Sequence, residues 1–122
     1  MAADTLGALA IEDAEARWCV LDHVSEDCHM LVEFGNWFST IYSKVDDQTK
    51  ITHSNRTLLR LSDEGLVRLH WGPQCTFPYR APDALAIAGA DIAAMPADAW
   101  NMPASEPYAC VCDTALPWDA YN

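Results

Sequence analysis

Basic residues are scarce in this sequence, and a long apolar run is absent. Lysine and arginine number 7 against 18 aspartates and glutamates, which gives a net charge of −11 over 122 residues. No run of 18 apolar residues occurs, so the sequence predicts no membrane-spanning helix. The length excludes a TIM barrel or a two-lobed enzyme and is typical of one domain. Hydrophobic residues make up 51% of the chain, which is enough to bury one core.

The sequence also lacks the short motifs that carry common chemistry. Neither phosphate-binding loop, G-x-G-x-x-G or G-x-x-x-x-G-K, occurs. The pair C-x-x-C and the motif H-E-x-x-H are absent too, although the spacing of Cys19 and His23 suits two zinc ligands on one helix. No family signature surrounds any combination of cysteine and histidine. We therefore predict a protein that is not an enzyme and that binds no metal or other cofactor.

The five cysteines are an odd number, which a closed disulfide framework would not leave. The first ten residues contain no basic residue, so they do not resemble a secretory signal. From these two observations we expect a cytoplasmic protein whose cysteines are reduced thiols. Cys110 and Cys112 lie two positions apart on a predicted strand, where both side chains would point the same way and fill a core.

Charge is distributed unevenly along the chain. Residues 1–43 carry eight acids and one base, residues 81–122 carry six acids and no base, and residues 44–80 carry six bases and four acids. The two flanks would repel a polyanion, whereas the central segment would not. The basic residues of the middle segment are therefore the first place to look for a binding surface, although acids also serve solubility alone.

Hydrophobic periodicity and turn residues divide the chain into predicted elements. The first helix would bury Trp18, Leu21 and Val24. Gly35, inside the second helix, indicates either close backbone packing or a break, and Gly65 ends the third. We expect helices over about 11–24, 25–43, 52–65 and 82–89, a polar loop over 46–50, strands over 67–71, 75–79 and 108–114, and short turns over 91–100. Residues 1–10 would form a flexible arm, 11–114 one domain and 115–122 a tail.

The order helix, helix, helix, strand, turn, strand resembles a winged-helix domain. The segment 54–69, SNRTLLRLSDEGLVRL, resembles the end of a winged-helix recognition helix running into its wing. The resemblance implies an α+β fold with three N-terminal helices, a small antiparallel sheet as the wing and a short C-terminal helix. The chain departs from the DNA-binding pattern because its second helix is long and about seven polar residues follow it. The C-terminal third, with Trp100 and a strand ending in Thr114, looks like small uncharacterised actinobacterial or phage proteins.

The third helix carries the main candidate binding face. His53, Arg56 and Arg60 are spaced i, i+3 and i+7, so they share one side of the helix. In a winged helix this side would enter a major groove. The alternative is a solvated face on which Arg60 pairs with Asp63 or Glu64. The predicted partner- or DNA-binding residues are Lys50, His53, Arg56, Arg60 and Arg68, with Trp118 and Tyr121 as interface aromatics.

These observations favour a small acidic regulatory protein that acts by binding another protein. The acidic body favours a protein partner, either a basic one or a second copy in a homodimer. A sequence-specific DNA-binding regulator that uses the third helix is the first alternative. The second is an acidic DNA mimic that occupies a nucleic-acid-binding protein, which the two acidic flanks suggest. Fold alone does not decide among them.

Overall fold

The computed structural model describes residues 9–25, 29–72, 85–100 and 108–113. This part of the chain is α+β and mostly helical. Its helices are α1 (Ala10–Val24), α2 (Leu31–Ile41), α3 (Asp47–Asp63) and α4 (Gly89–Ala93), with a 3₁₀ turn at Ala97–Trp100; its strands are β1 (His29–Met30), β2 (Val67–Gly72), β3 (Leu85–Ala86) and β4 (Tyr108–Asp113). None of these helices has the length and apolarity that crossing a membrane requires. Most of the predicted arm, the predicted strand at 75–79 and the predicted tail lie outside the described residues.

Helix α1 packs on the rest of the domain through a stripe of small side chains. Ala16, Val20 and Val24 are buried, as helical spacing of four residues allows. The prediction that Trp18 lies on this stripe is wrong, because its side chain is 65% exposed. Small side chains, and not the indole of Trp18, occupy the buried side of α1.

The boundaries of α2 and α3 differ from the predicted ones. Ser25 ends α1 instead of starting α2, and two residues of strand separate the helices. The polar segment 46–50, predicted as a loop, forms the start of α3. Its carboxylate cap explains why: Asp46 accepts the Thr49 backbone N–H at 2.7 Å, a bond that lowers the pKa of Asp46. Gly65, at a φ of 74°, ends α3 as predicted.

The prediction for the segment after β2 is partly wrong. A fourth helix was expected over 82–89, but Leu85 and Ala86 form β3, and α4 begins at Gly89, where the helix was expected to end. The short turns expected over 91–100 are confirmed as the end of α4 and the 3₁₀ turn. The predicted strand at 108–114 is confirmed over Tyr108–Asp113 as β4.

Gly35 lies where α2 meets the 3₁₀ turn. A Cβ atom at this position would lie 2.8 Å from the Trp100 carbonyl oxygen, so the glycine serves close backbone packing and α2 continues through it. We expect Gly35→Ala to lower the free energy of unfolding by about 1–3 kcal/mol, although alanine is the better helix former. Denaturant unfolding measures the change, and Thr40→Ala, at an exposed position of the same helix, should be nearly neutral. A stabilised Gly35→Ala variant would contradict the close approach.

The strands form one antiparallel sheet in the order β1-β4-β2-β3. Leu69 lies opposite Val111, and both belong to the main core with the helices. The next pair, His70 and Cys110, projects to the other face. At this position the second face is buried too, since His70 is 2% exposed.

Two cysteines of β4 lie on this second face. Cys110 and Cys112 point the same way, as their spacing predicted, and both are fully buried. The face that they share is opposite the main core. Both are disulfide-bonded, so the expectation of reduced thiols is wrong for these two. Cys19 is the free cysteine of the described residues.

The buried imidazole of His70 makes stability depend on pH. Burial, with a smaller contribution from Arg68, lowers the pKa of His70 from 6.5 to about 4. Between these values the unfolded chain takes up the proton and the folded chain does not. The free energy of unfolding should therefore fall as pH drops from 6.5 to 4, by up to about 3 kcal/mol, and this loss should level off below that window.

The variant His70→Gln isolates this effect from the titration of the carboxylates. Urea unfolding of both proteins at several pH values gives two stability curves. Because only the wild type carries the imidazole, its advantage over the variant should shrink as pH falls through the window. Parallel curves would contradict the assignment.

Candidate functional site

Asp13 on α1 is the centre of a hydrogen-bond network that reaches α2 and α3. Its Oδ1 accepts the Tyr42 hydroxyl at 2.6 Å and lies 2.8 Å from Nδ1 of His53. Its Oδ2 accepts a hydrogen bond from Arg56 at 3.3 Å. Burial, helped by the bond to Asp13, raises the pKa of Tyr42 well above its usual range, so this hydroxyl stays a donor. The network fixes the relative position of the three helices.

This arrangement corrects the predicted exposed face of α3. His53 is only 3% exposed, because it is turned toward Asp13 and lies against the Tyr42 ring at a centroid distance of 5.8 Å. Arg56 is half-buried, and its guanidinium lies 2.8 Å from Nδ1 of His53. Only Arg60 of the predicted triplet is exposed. Most of this side of α3 is therefore an interface with α1 within the domain.

An open groove runs between α1 and α3 above the network. Its volume is about 350 Å³. Its lining residues are Ala10, Asp13, Ala14, Arg17, Arg56, Thr57 and Arg60. Arg17 pairs with Glu64 across the two helices. Arg60 has no ion-pair partner among the described residues, so the expected pairing with Asp63 or Glu64 does not form. The groove therefore offers a free guanidinium beside two that are already paired.

The remaining basic residues of the predicted face lie elsewhere. Lys50 turns toward α2, where it donates to the Ser39 hydroxyl at 3.3 Å and lies 3.6 Å from Asp47. It lines a separate cavity of about 240 Å³ beside Trp100. Arg68 is exposed on β2, on the sheet face opposite the main core. The five predicted residues thus do not form one surface.

The outer face of α1 was not predicted as a site. Ile11 is 80% exposed and Trp18 is 65% exposed, the two most exposed large hydrophobic side chains of the described residues. They are seven residues apart, so they lie in line on the helix, with exposed Ala14 between them. Their spacing is visible in the sequence, but the sequence prediction assigned Trp18 to the buried side of the helix.

Charges of opposite sign border this face of α1. Glu15 and Asp22 lie along one edge, and both are exposed. Arg17 lies along the other edge and continues into the groove with Arg60. At 100° per residue, the apolar line of Ile11 and Trp18 runs between the two edges. The result is an apolar stripe with an acidic side and a basic side.

A cluster of histidines and aromatics joins the end of α1 to α2. His23 stacks on Trp37 at a centroid distance of 3.8 Å. Its Nδ1 lies 2.7 Å from the Cys19 carbonyl oxygen. Burial, with Asp22 and Glu15, raises the pKa of the Cys19 thiol to about 11, so the thiol stays protonated at neutral pH. In the described ranges, no group of three His, Cys, Asp or Glu side chains could hold a metal ion. The rings of His23, Phe34 and Trp37 pack against one another here.

Two predicted interface residues, Trp118 and Tyr121, lie outside the described residues. The comparisons with known proteins give no match: no family model, no curated protein and no solved structure is significantly similar to this chain.

Proposed function

We propose that this chain is a non-enzymatic interaction protein that binds a protein partner through the outer face of α1. One observation carries the proposal, namely the exposure of Trp18. Tryptophan is the most enriched residue in interface hot spots, and burying it against a partner stabilises a complex strongly. The fold does not use this side chain for its core, so its position in line with Ile11 is explained by an external contact.

The arginines beside the stripe add selectivity. Arg17 and Arg60 line the groove next to the apolar face, and a guanidinium binds a carboxylate through two parallel hydrogen bonds. A partner that places apolar side chains on Trp18 and an acidic side chain in the groove would match both features. Such a partner is an amphipathic helix lying along α1.

The scaffold of the proposal is a winged-helix-like domain. Three helices are followed by antiparallel strands, the order on which the resemblance rests. The connection between β2 and β4 is longer than a wing turn, since it spans residues 73–107 and includes β3 and α4. The disulfide bonds at Cys110 and Cys112 favour an oxidising compartment over the cytoplasm expected from the sequence, because such bonds persist there.

The geometry of α3 favours a protein partner over DNA. A winged helix that reads DNA needs a free face on the third helix. Here His53 and Arg56 are held against Asp13 of α1, which leaves Arg60 as the exposed member of the predicted triplet. Fluorescence anisotropy with mixed DNA fragments tests this alternative. Salt-sensitive binding that is lost in the double variant Arg56→Ala/Arg60→Ala would favour nucleic acid instead.

The variant Trp18→Ala tests the proposal in two steps. Because the side chain is largely exposed, the free energy of unfolding should change by less than about 0.5 kcal/mol. Binding of partner proteins to the immobilised chain should be lost nonetheless. Leu66→Ala, which truncates an exposed apolar side chain outside α1, is the matched control and should bind the same proteins as the wild type. Equal capture by Trp18→Ala and the wild type would reject the proposal.

A further inference from the structure

We propose that the occupant of the α1 face is a second copy of this chain, joined in a parallel two-helix contact along α1. The inference rests on the proposed function, since it names the partner of the same face. It goes further by fixing the symmetry, the orientation and the residue pairs of the contact.

The exposed side of α1 has the pattern of a coiled-coil seam. Ile11 and Trp18 occupy successive a positions, and Ala14 and Leu21 occupy the following d positions. Ile11, Ala14 and Trp18 are exposed, and Leu21 is partly buried. The opposite side of the helix holds Ala16, Val20 and the other residues that pack on the domain core. One helix therefore presents two apolar faces. Leu21 also packs against the domain core at the edge of the outer face, whereas Ile11, Ala14 and Trp18 are exposed.

The charged edges select a parallel pair. In a parallel two-helix contact a residue at g lies beside the e residue five positions later in the partner. Arg17 is at g and Asp22 is at e, so a two-fold axis along the helices pairs them twice. Glu15, one heptad before Asp22, lies on the same acidic edge. In an antiparallel pair, like edges would meet and repel.

Arg17 can make this contact in addition to its pair with Glu64. Its side chain is 40% exposed and a guanidinium has five N–H donors. A carboxylate from a second copy can therefore bind beside the existing pair. Asp22 on the acidic edge of one chain thus supplies the carboxylate that binds Arg17 on the basic edge of the other. No external protein is needed to supply it.

Charge exchange between the two edges is the decisive experiment. The variants Arg17→Glu and Asp22→Arg each place like charges across both g–e contacts. Each should weaken self-association by about tenfold or more. When the two variants are mixed in equal amounts, each g–e contact between them again pairs an acid with a base, so a heterodimer should form. Sedimentation velocity over a concentration series at physiological salt measures association, because salt screens the repulsion between two chains of net charge −11. Native mass spectrometry identifies the heterodimer.

Two further variants complete the test. Trp18→Ala should weaken the dimer by about tenfold or more. Arg68→Glu makes the same charge change as Arg17→Glu on the far side of the sheet and should leave the dimer intact. Circular dichroism confirms that each variant is folded.

The outcomes separate this inference from the proposed function. Recovery of the heterodimer supports the parallel contact. A wild type that stays monomeric throughout the series rejects the second copy, and Trp18-dependent capture of another protein would then leave the docking function standing. A wild-type dimer that none of the α1 variants weakens uses another surface and rejects the inference as well.

Discussion

Reduction of the disulfide bonds at Cys110 and Cys112 is expected to lower the free energy of unfolding by about 2–5 kcal/mol for each bond. Both cysteines belong to β4, the strand that pairs with β1 on one side and with β2 on the other. A disulfide restricts the unfolded chain, so its loss stabilises the unfolded state. A chain of this size has only a small hydrophobic core, so little other stabilisation offsets the loss of a disulfide. Guanidinium unfolding with and without a reductant measures the difference.

Thiol mapping provides the control for this prediction. Alkylation of the denatured, unreduced chain should leave Cys110 and Cys112 unmodified, and prior reduction should make them reactive. Cys19→Ala should unfold with the same sensitivity to reductant as the wild type, because Cys19 is free. Identical unfolding midpoints in oxidising and reducing buffer would show that the bonds contribute nothing to the fold.

The elements that sequence reasoning found have local signals. Gly65 ends α3 because the residue after the helix needs a positive φ, and the alternation at 108–113 reflects a strand whose successive side chains point to opposite faces. The two-residue strand β1 has no such signal, since His29 and Met30 become a strand only by pairing with β4. The start of α3 was missed because a capped polar segment reads as a loop when its buried residues come later.

In the candidate site, too, the residues with a local sequence signal were predicted and those placed by tertiary packing were not. Arg56 and Arg60 were found because positive charge at helical spacing is visible in the sequence. The burial of His53 was not, because its partner Asp13 is 40 residues away and only tertiary packing brings them together. Trp18 was placed inside because it shares a helical stripe with Leu21 and Val24. The small residues Ala16 and Val20 decide the inward face instead, and that choice depends on the surface of α3.

Substitution of Asn55 by leucine is expected to lower the free energy of unfolding by about 3–5 kcal/mol, a large fraction of the stability of a small domain. The buried Asn55 side chain joins α3 to the segment that follows α4. Its Nδ2 donates to the Met95 carbonyl at 2.8 Å and lies 3.4 Å from the Ala93 carbonyl, and its Oδ1 accepts the Trp100 indole N–H at 3.0 Å. Leucine would leave these groups buried without partners.

A matched substitution separates this network from a general effect of losing an asparagine. Asn36→Ala, at an exposed position of α2, should change the free energy of unfolding by less than about 0.5 kcal/mol. Combining Asn55→Ala with Trp100→Phe should cost less than the two single changes together, because both remove the same bond. The same burial keeps Asn55 from accepting a glycan, although Asn55-Arg56-Thr57 fits the acceptor sequence. If Asn55→Leu and Asn36→Ala unfold alike, the amide does not hold the 3₁₀ turn on α3.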